Sequence, residues 1–314
     1  MSALAHFAAV LRGPLRHLAV ALALASSLAC AGPARAQEIV VERRGGAPPI
    51  AGRLRSADED ALRLVTESGA EYALRWDVVR TVTPSTETLE RLLGPAESLW
   101  RARTRIERDD TELAEPILAE LFEVYRGRTS ETALVVTEGL LRCRVARGDA
   151  VGAIIPALEA ARLRALGVAT DAFASMPPAL DPTTLLCPQA PPVLPQGPAL
   201  ERLQHELETW QPSEPSVAAM ADLYRHAVEV AADGALEVHE DLPPLPAAAA
   251  NAPSAGSGVG WAGVRLLRQL LAAAAGDAPS AANLRRLVGG GDWRAAWASF
   301  FIGAAAMPSS EPRA

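Results

Sequence analysis

Apolar residues recur at helical spacing between residues 85 and 176, and this pattern predicts a helical domain. After Asp109 the apolar positions follow i, i+3, i+4, i+7, i+8 and i+11, which is one stripe of an α-helix. The stripe consists of Ala114, Ile117, Leu118, Leu121, Phe122 and Tyr125. Similar stripes before and after it predict further helices, so the segment is expected to form helical hairpins.

Two short segments, 107–118 and 147–158, share the spacing of an aspartate and a proline. Asp109 precedes Pro116 by seven residues, Asp149 precedes Pro156 by seven, and the second pair follows the first by 40. A fixed period of this size is typical of helix-pair repeats, because each pair exposes an apolar face that a stacked neighbour must cover. We expect each aspartate to cap a second helix. Because the prolines lie beyond the first turn, each helix either starts later than its aspartate or is kinked.

The second of these turns resembles that of tetratricopeptide-type repeats. Gly148 and Asp149 stand at the corner of the helix pair, and Ala153 is the small residue that packs at the start of the second helix. The resemblance implies a mainly α fold of irregular stacked hairpins and a surface that binds polypeptides.

Residues 37–84 change to a period of two, which predicts short strands. The segments EIVVER and DVVRTV flank a hairpin whose tip is Ser68-Gly69. The alternating apolar positions are Ile50, Gly52, Leu54, Leu62, Leu64, Tyr72, Leu74 and Trp76. Four or five short strands need closure to protect their edges, so a small β-barrel is expected.

The run I-x-G-x-L followed by L-x-L resembles the first motif of Sm-like and other SH3-like small barrels. Arg63 stands between Leu62 and Leu64, and the asparagine with which that family binds RNA is absent. The resemblance therefore implies a barrel fold without RNA binding.

Proline content divides the remainder of the chain. Residues 177–198 hold eight prolines and predict an extended linker lying on the helices, followed by a helical pair at 199–242. Residues 243–260 have the composition of a flexible tether, and 261–308 predict C-terminal helices. The last helix carries a predicted apolar stripe of Trp293, Ala296, Trp297, Phe300, Phe301 and Ala304.

Residues 1–36 are predicted to be an export signal. Arg12 and Arg16 precede an apolar run from Leu18 to Ala31, and the A-x-A pattern ending at Ala36 predicts cleavage before Gln37. The run is short for a membrane anchor, so the mature chain is expected to be periplasmic or extracellular without a stable transmembrane anchor. All 30 basic residues are arginines, and cleavage leaves 27 of them against 37 acids. A net charge of −10 lacks the basic surface that nucleic acids require, so no nucleic-acid partner is expected.

The mature chain contains few cysteines and histidines that could act in catalysis, metal binding or a disulfide. Cys143 and Cys187 are a candidate disulfide in an exported protein, although the apolar surroundings of Cys143 are equally typical of a buried thiol. His205 and His226 are expected on polar helix faces, and His239 lies in an acidic segment. No catalytic set, metal site or cofactor site is assigned. The run GVGWAG at 258–263 follows a Pro/Ala tether instead of a strand, so it does not predict a dinucleotide site.

These patterns favour a non-enzymatic interaction or scaffold protein of the cell envelope that binds a polypeptide. One alternative is an accessory, hydrolase-like enzyme whose acids and histidines within 201–241 converge in three dimensions. A second alternative is that the small barrel binds a ligand.

Overall fold

The structure, a computed structural model, describes residues 37–233, 242–243 and 260–306. It is rich in helix and has a five-stranded antiparallel sheet at its N-terminal end. The predicted export signal with Ala36, most of the predicted tether at 243–260, and His239 lie outside the described residues.

The strands follow the period-two pattern of the sequence. They are β1 (Glu38–Arg43), β2 (Ile50–Ala57), β3 (Leu62–Val65), β4 (Glu71–Leu74) and β5 (Val79–Thr83), with a 3-10 turn at Trp76–Val78. The hydrogen-bonded order is β4-β3-β2-β1-β5, so β4 and β5 are the two ends of the sheet. The predicted strands and hairpin are thus confirmed as an antiparallel sheet.

One face of the sheet forms a small core. Val41 lies opposite Ile50 on one side and Val82 on the other, and all three side chains are buried. Trp76 is buried beside them, and its indole nitrogen donates to the Asp58 carbonyl oxygen at 2.7 Å. Tyr72, predicted to point inward, is 40% exposed, because β4 is an edge strand with no neighbour beyond it.

The helical part begins with two hairpins. Their helices are α1 (Glu87–Ile106), α2 (Thr111–Tyr125), α3 (Glu131–Ala146) and α4 (Ala150–Ala165). The hydroxyl of Thr86 accepts from the Leu89 amide, and that of Ser130 accepts from the Ala133 amide, so both first helices have side-chain caps. The pattern of four helices in two hairpins is confirmed.

The capping role predicted for Asp109 is wrong. Asp109 has a φ of 64° and ends the turn after α1, while Asp110 precedes the first residue of α2 and its side chain makes no capping bond. Asp149 does cap α4, since its carboxylate accepts from the Gly152 amide at 2.8 Å. Neither Pro116 nor Pro156 delays its helix, because α2 and α4 start five and six residues before them.

The helix α1 joins the sheet to the helical core. Its first half places Leu89 and Leu92 in the core of the sheet, and its second half places Leu99 and Ile106 in the helical core. The helix α1 therefore contributes to both apolar cores and connects them.

The segment predicted to be a linker, 177–198, is instead part of the helical core. Leu180, Leu185, Leu186, Cys187 and Ala190 are buried there. Its backbone is satisfied by side chains, because Tyr224 donates to the Ala190 carbonyl oxygen at 2.9 Å and Trp297 donates to that of Pro188 at 3.0 Å.

The remaining helices pack on the same core. They are α5 (Pro198–Thr209), α6 (Pro215–Asp233), α7 (Trp261–Ala274), α8 (Ala278–Arg285) and α9 (Trp293–Ala306). On α9, Trp297 and Phe301 are buried, whereas Phe300 is 53% exposed and does not share their face as predicted. In the described part of the chain, none of the helices has the length and apolar character needed to span a membrane.

Candidate functional site

The outer face of α2 carries an apolar stripe that the described residues leave largely exposed. Leu113 is 57% exposed and Val124 is 52% exposed, with the partly buried Ile117 between them. Spacings of four and seven residues place the three side chains within about 40° of one another around the helix. We call Leu113, Ile117 and Val124 the α2 stripe.

Acidic residues accompany the α2 stripe. Glu120 lies within it, and Glu112 and Glu123 lie along one side; all three are exposed. None of the three has an arginine or histidine nitrogen within 4.0 Å among the residues that the structure describes. The surface is therefore both apolar and negatively charged.

The turns of the two hairpins contain corresponding arginine bonds. Arg105 Nη1 donates to the carbonyl oxygen of Leu113 at 2.8 Å, and Arg144 Nη1 donates to that of Gly152 at 2.5 Å. The amides of Asp110 and Asp149 donate in turn to the carbonyl oxygens of Arg105 and Arg144, at 2.9 Å in both cases. Each bond of the first hairpin has its counterpart 39 residues later in the second hairpin. The spacing of the aspartates and prolines predicted an offset of 40.

A cavity of about 430 Å³ lies where α3 and α4 meet the irregular segment 170–185. Its charged lining residues are Glu138, Arg142 and Arg164. Its apolar lining residues are Phe173, Ala174, Met176, Pro178, Ala179, Leu180, Pro182 and Leu185. We call this space the α3–α4 cavity.

A broader depression of about 700 Å³ lies on the sheet beside β1 and β2. Glu38, Val40, Arg53, Val65 and Pro84 are among its lining residues. Its charged lining residues are one arginine and two glutamates.

A buried ion cluster ties the sheet to the helices. Asp77 is fully buried and accepts from Arg75 at 2.7 Å and from Arg103 at 2.6 Å. Arg75 also bonds to Asp171. Burial lowers the pKa of Arg75, but Asp77 and Asp171 outweigh it and raise that pKa above its ordinary value. Both oxygens of the Asp77 carboxylate accept from arginines, which is the arrangement of a structural anchor.

The two histidines of the described residues lie on different helices. His205 is exposed on α5, whereas His226 is buried on α6, contrary to the polar face predicted for it. The buried face of α6 is wide enough to include His226, since Ala227 and Val228 beside it are buried as well. Within the described ranges, no group of three or more His, Cys, Asp or Glu residues is arranged to hold a metal ion.

Cys143 and Cys187 are both buried free thiols in the structure, which does not join them. The Cys187 Sγ lies 3.5 Å from the side-chain oxygen of Gln189. Burial, with a contribution from Glu115, raises the pKa of Cys143 to about 12, and burial also raises the pKa of Cys187. Pairing of the two cysteines in solution stays a prediction.

Comparison with protein-family models, with curated proteins and with solved structures finds no match to this chain.

Neither the α2 stripe nor the α3–α4 cavity was predicted as a site from the sequence. Ile117 was assigned to the core stripe of α2, because a stripe of nearly half the helix circumference cannot be divided into covered and open parts from one helix alone. A signal for the cavity was present in α3, where Thr137 and Glu138 interrupt an apolar run from Ala133 to Leu141. A buried carboxylate requires a partner, and that requirement points to an arginine nearby.

Proposed function

We propose that this protein is an exported, non-enzymatic interaction protein that binds a polypeptide through the α2 stripe. The observation that carries the proposal is that exposed Leu113 and Val124, with partly buried Ile117 between them, lie beside glutamates that have no ion-pair partner among the described residues. Exposed apolar surface of this kind is favourable to cover, and charges beside it select the partner.

The partner proposed is an amphipathic helix with lysine or arginine beside its apolar face. An apolar helix face supplies contact area to Leu113 and Val124. Basic side chains beside it pair with Glu112, Glu120 and Glu123, which have no partners within the described residues. Because these charges are exposed, binding should weaken as salt is added.

The hairpins serve in this proposal as tetratricopeptide-like repeats. The matched bonds of Arg105 and Arg144 support two copies of one unit, and the N-terminal sheet packs on the first helix of the first copy, α1. Stacked hairpins of this type present helices to a partner without large rearrangement.

The test uses a defined probe, a 20-residue helical peptide with a leucine stripe flanked by lysines. Fluorescence anisotropy should give saturable binding to the full chain, and the double variant Leu113→Arg/Val124→Arg should weaken it by roughly tenfold or more, about 1.4 kcal/mol. The matched control is Leu166→Arg/Val288→Arg, which changes two other exposed apolar residues.

The same leucine stripe flanked by glutamates should not bind. Equal loss of binding in both double variants, or equal binding of the basic and acidic peptides, would disprove the proposed surface. In the native host, a photo-crosslinker at position 113 should capture a partner that the same crosslinker at position 166 does not.

Export is tested separately. N-terminal sequencing of the exported chain should identify Gln37 as its first residue.

A further inference from the structure

The charges of the α3–α4 cavity do not balance. Glu138 is buried, and its Oε1 accepts from Arg164 at 3.0 Å through Nε and at 2.5 Å through Nη2. These two side chains neutralise one another. Arg142 is the third charge, and the lining therefore carries one positive charge in excess.

Arg142 has hydrogen-bonding capacity left over. Its Nη2 donates to the Pro177 carbonyl oxygen at 2.8 Å, but its Nε is buried and has no hydrogen-bond partner in the described part of the chain. Arg142 makes no ion pair within 4.0 Å among the described residues. Glu138, which pairs with Arg164, acts on Arg142 only as a more distant charge. Cys187 is nearby and is a neutral thiol at ordinary pH, because burial raises its pKa.

The guanidinium of Arg142 is held in place without its charge being neutralised. It lies over the ring of Phe173, with 4.9 Å from its central carbon to the ring centroid. An aromatic face attracts a cation but does not neutralise its charge. Burial lowers the pKa of Arg142, which is the expected effect of holding a cation in a partly apolar space.

The remaining walls are suited to an apolar group. Met176, Ala179, Leu180 and Leu185 line the space, and about 430 Å³ falls in the range of small-ligand sites. An arginine with open donors beside such walls recognises a carboxylate attached to a compact apolar body, since the fork of the guanidinium matches the two carboxylate oxygens.

We propose that the α3–α4 cavity binds a monocarboxylate carried on a compact apolar group, with Arg142 pairing with the carboxylate and Leu180 and Leu185 contacting the apolar part. The carboxylate belongs either to a free small acid or to the C-terminus of a polypeptide with an apolar last residue. Only the second source rests on the function proposed above.

The first measurement compares 4-methylpentanoate with the neutral 4-methylpentanamide by isothermal titration calorimetry on the full chain. The acid should bind at least about tenfold more tightly, because the amide cannot neutralise Arg142. The variant Arg142→Gln should abolish this preference. The matched control Arg101→Gln, which removes an exposed arginine on α1 and changes the net charge equally, should keep it.

A second variant guards against loss of folding in Arg142→Gln. Ala174 is exposed at the cavity wall, so Ala174→Trp should block entry while leaving the core unchanged. Weakened acid binding in Ala174→Trp with an unchanged melting temperature supports the site. Equal binding of acid and amide, or unchanged acid binding in both cavity variants, would overturn it.

Peptides identify the source of the carboxylate. A short peptide ending in leucine with a free carboxylate, binding more tightly than its C-terminal amide, assigns a polypeptide terminus, whereas binding of the free acid alone assigns a small molecule. The double variant Leu113→Arg/Val124→Arg should bind 4-methylpentanoate as the wild type does, because the α2 stripe does not line the cavity. Failure of the α2 surface is thereby separated from failure of the cavity.

Discussion

Asp181 accepts a hydrogen bond from Arg294 at 2.8 Å, across 113 positions of the chain. The other oxygen of the same carboxylate accepts from the amides of Thr183 and Thr184 at 3.1 and 2.8 Å. One aspartate therefore shapes the proline-rich segment and attaches the last helix to it.

The variant Asp181→Ala should lower the free energy of unfolding by about 2 to 4 kcal/mol, because it leaves Arg294 and two amides without their acceptor. Urea unfolding followed by tryptophan fluorescence measures the change. Asp222→Ala is the control, since Asp222 pairs with Arg225 at an exposed position on α6 and should change stability by less than about 1 kcal/mol. Similar effects in both variants would contradict the anchoring role of Asp181.

Removal of the buried carboxylate at Asp77 should be more damaging. Asp77→Ala leaves Arg75 and Arg103 without their shared partner, and we expect a loss of about 3 to 5 kcal/mol. Glu97→Ala, which breaks the exposed pair with Arg101 on α1, is the matched control and should cost less than about 1 kcal/mol. A loss of less than about 1 kcal/mol for Asp77→Ala would mean that water replaces the carboxylate.

Two helical glycines should respond oppositely to alanine. A Cβ at Gly263 would lie 2.1 Å from the Thr184 carbonyl oxygen, so Gly263→Ala should destabilise the protein by about 1 to 3 kcal/mol or more. A Cβ at Gly94 on α1 would meet no atom within 4 Å, and Gly94→Ala should stabilise by about 0.5 to 1 kcal/mol. Chemical denaturation measures both. Stabilisation by both alanines would show that α7 does not press on the Thr184 backbone.

Alkaline pH should destabilise the fold through Cys143 and Tyr125. Burial raises the pKa of Cys143 from 9.0 and that of Tyr125 from 10.0, each to about 12. Since the folded values exceed the unfolded ones, the stabilising contribution is complete below pH 9 and is lost as the pH rises through about 12. Stability measured from pH 8 to 12 should therefore fall, and Cys143→Ala should make the fall shallower.

The same burial predicts slow reaction of both thiols with iodoacetamide in the native state and rapid reaction in denaturant. Mass measurement of the oxidised and reduced chain decides whether Cys143 and Cys187 pair in solution. If the stability of Cys143→Ala falls between pH 8 and 12 as steeply as that of the wild type, the contribution of the Cys143 thiol to this fall is contradicted.

Local periodicity was enough to predict most elements, because alternation of apolar residues reports which face of an element is covered. The strands β1 to β5 and the helices α1 to α4 lie where their patterns indicate. The errors occur where the outcome depends on a neighbour. Asp109 resembles a cap in sequence, but it lies in the turn that follows α1, and Asp110, whose side chain makes no capping bond, is the residue that precedes α2.

The sequence by itself determined the helix-rich fold with an N-terminal sheet, the strand hairpin and the cap at Asp149, since these depend on residues close together in the chain. Only the tertiary structure decided that segment 177–198 contributes to the helical core, that Tyr72 and Leu113 face solvent, and that Arg142 has no carboxylate partner among the described residues. The physical reason is that burial and charge balance depend on groups from distant segments of the chain. A proline-rich segment has no hydrophobic periodicity of its own from which its buried positions could be predicted.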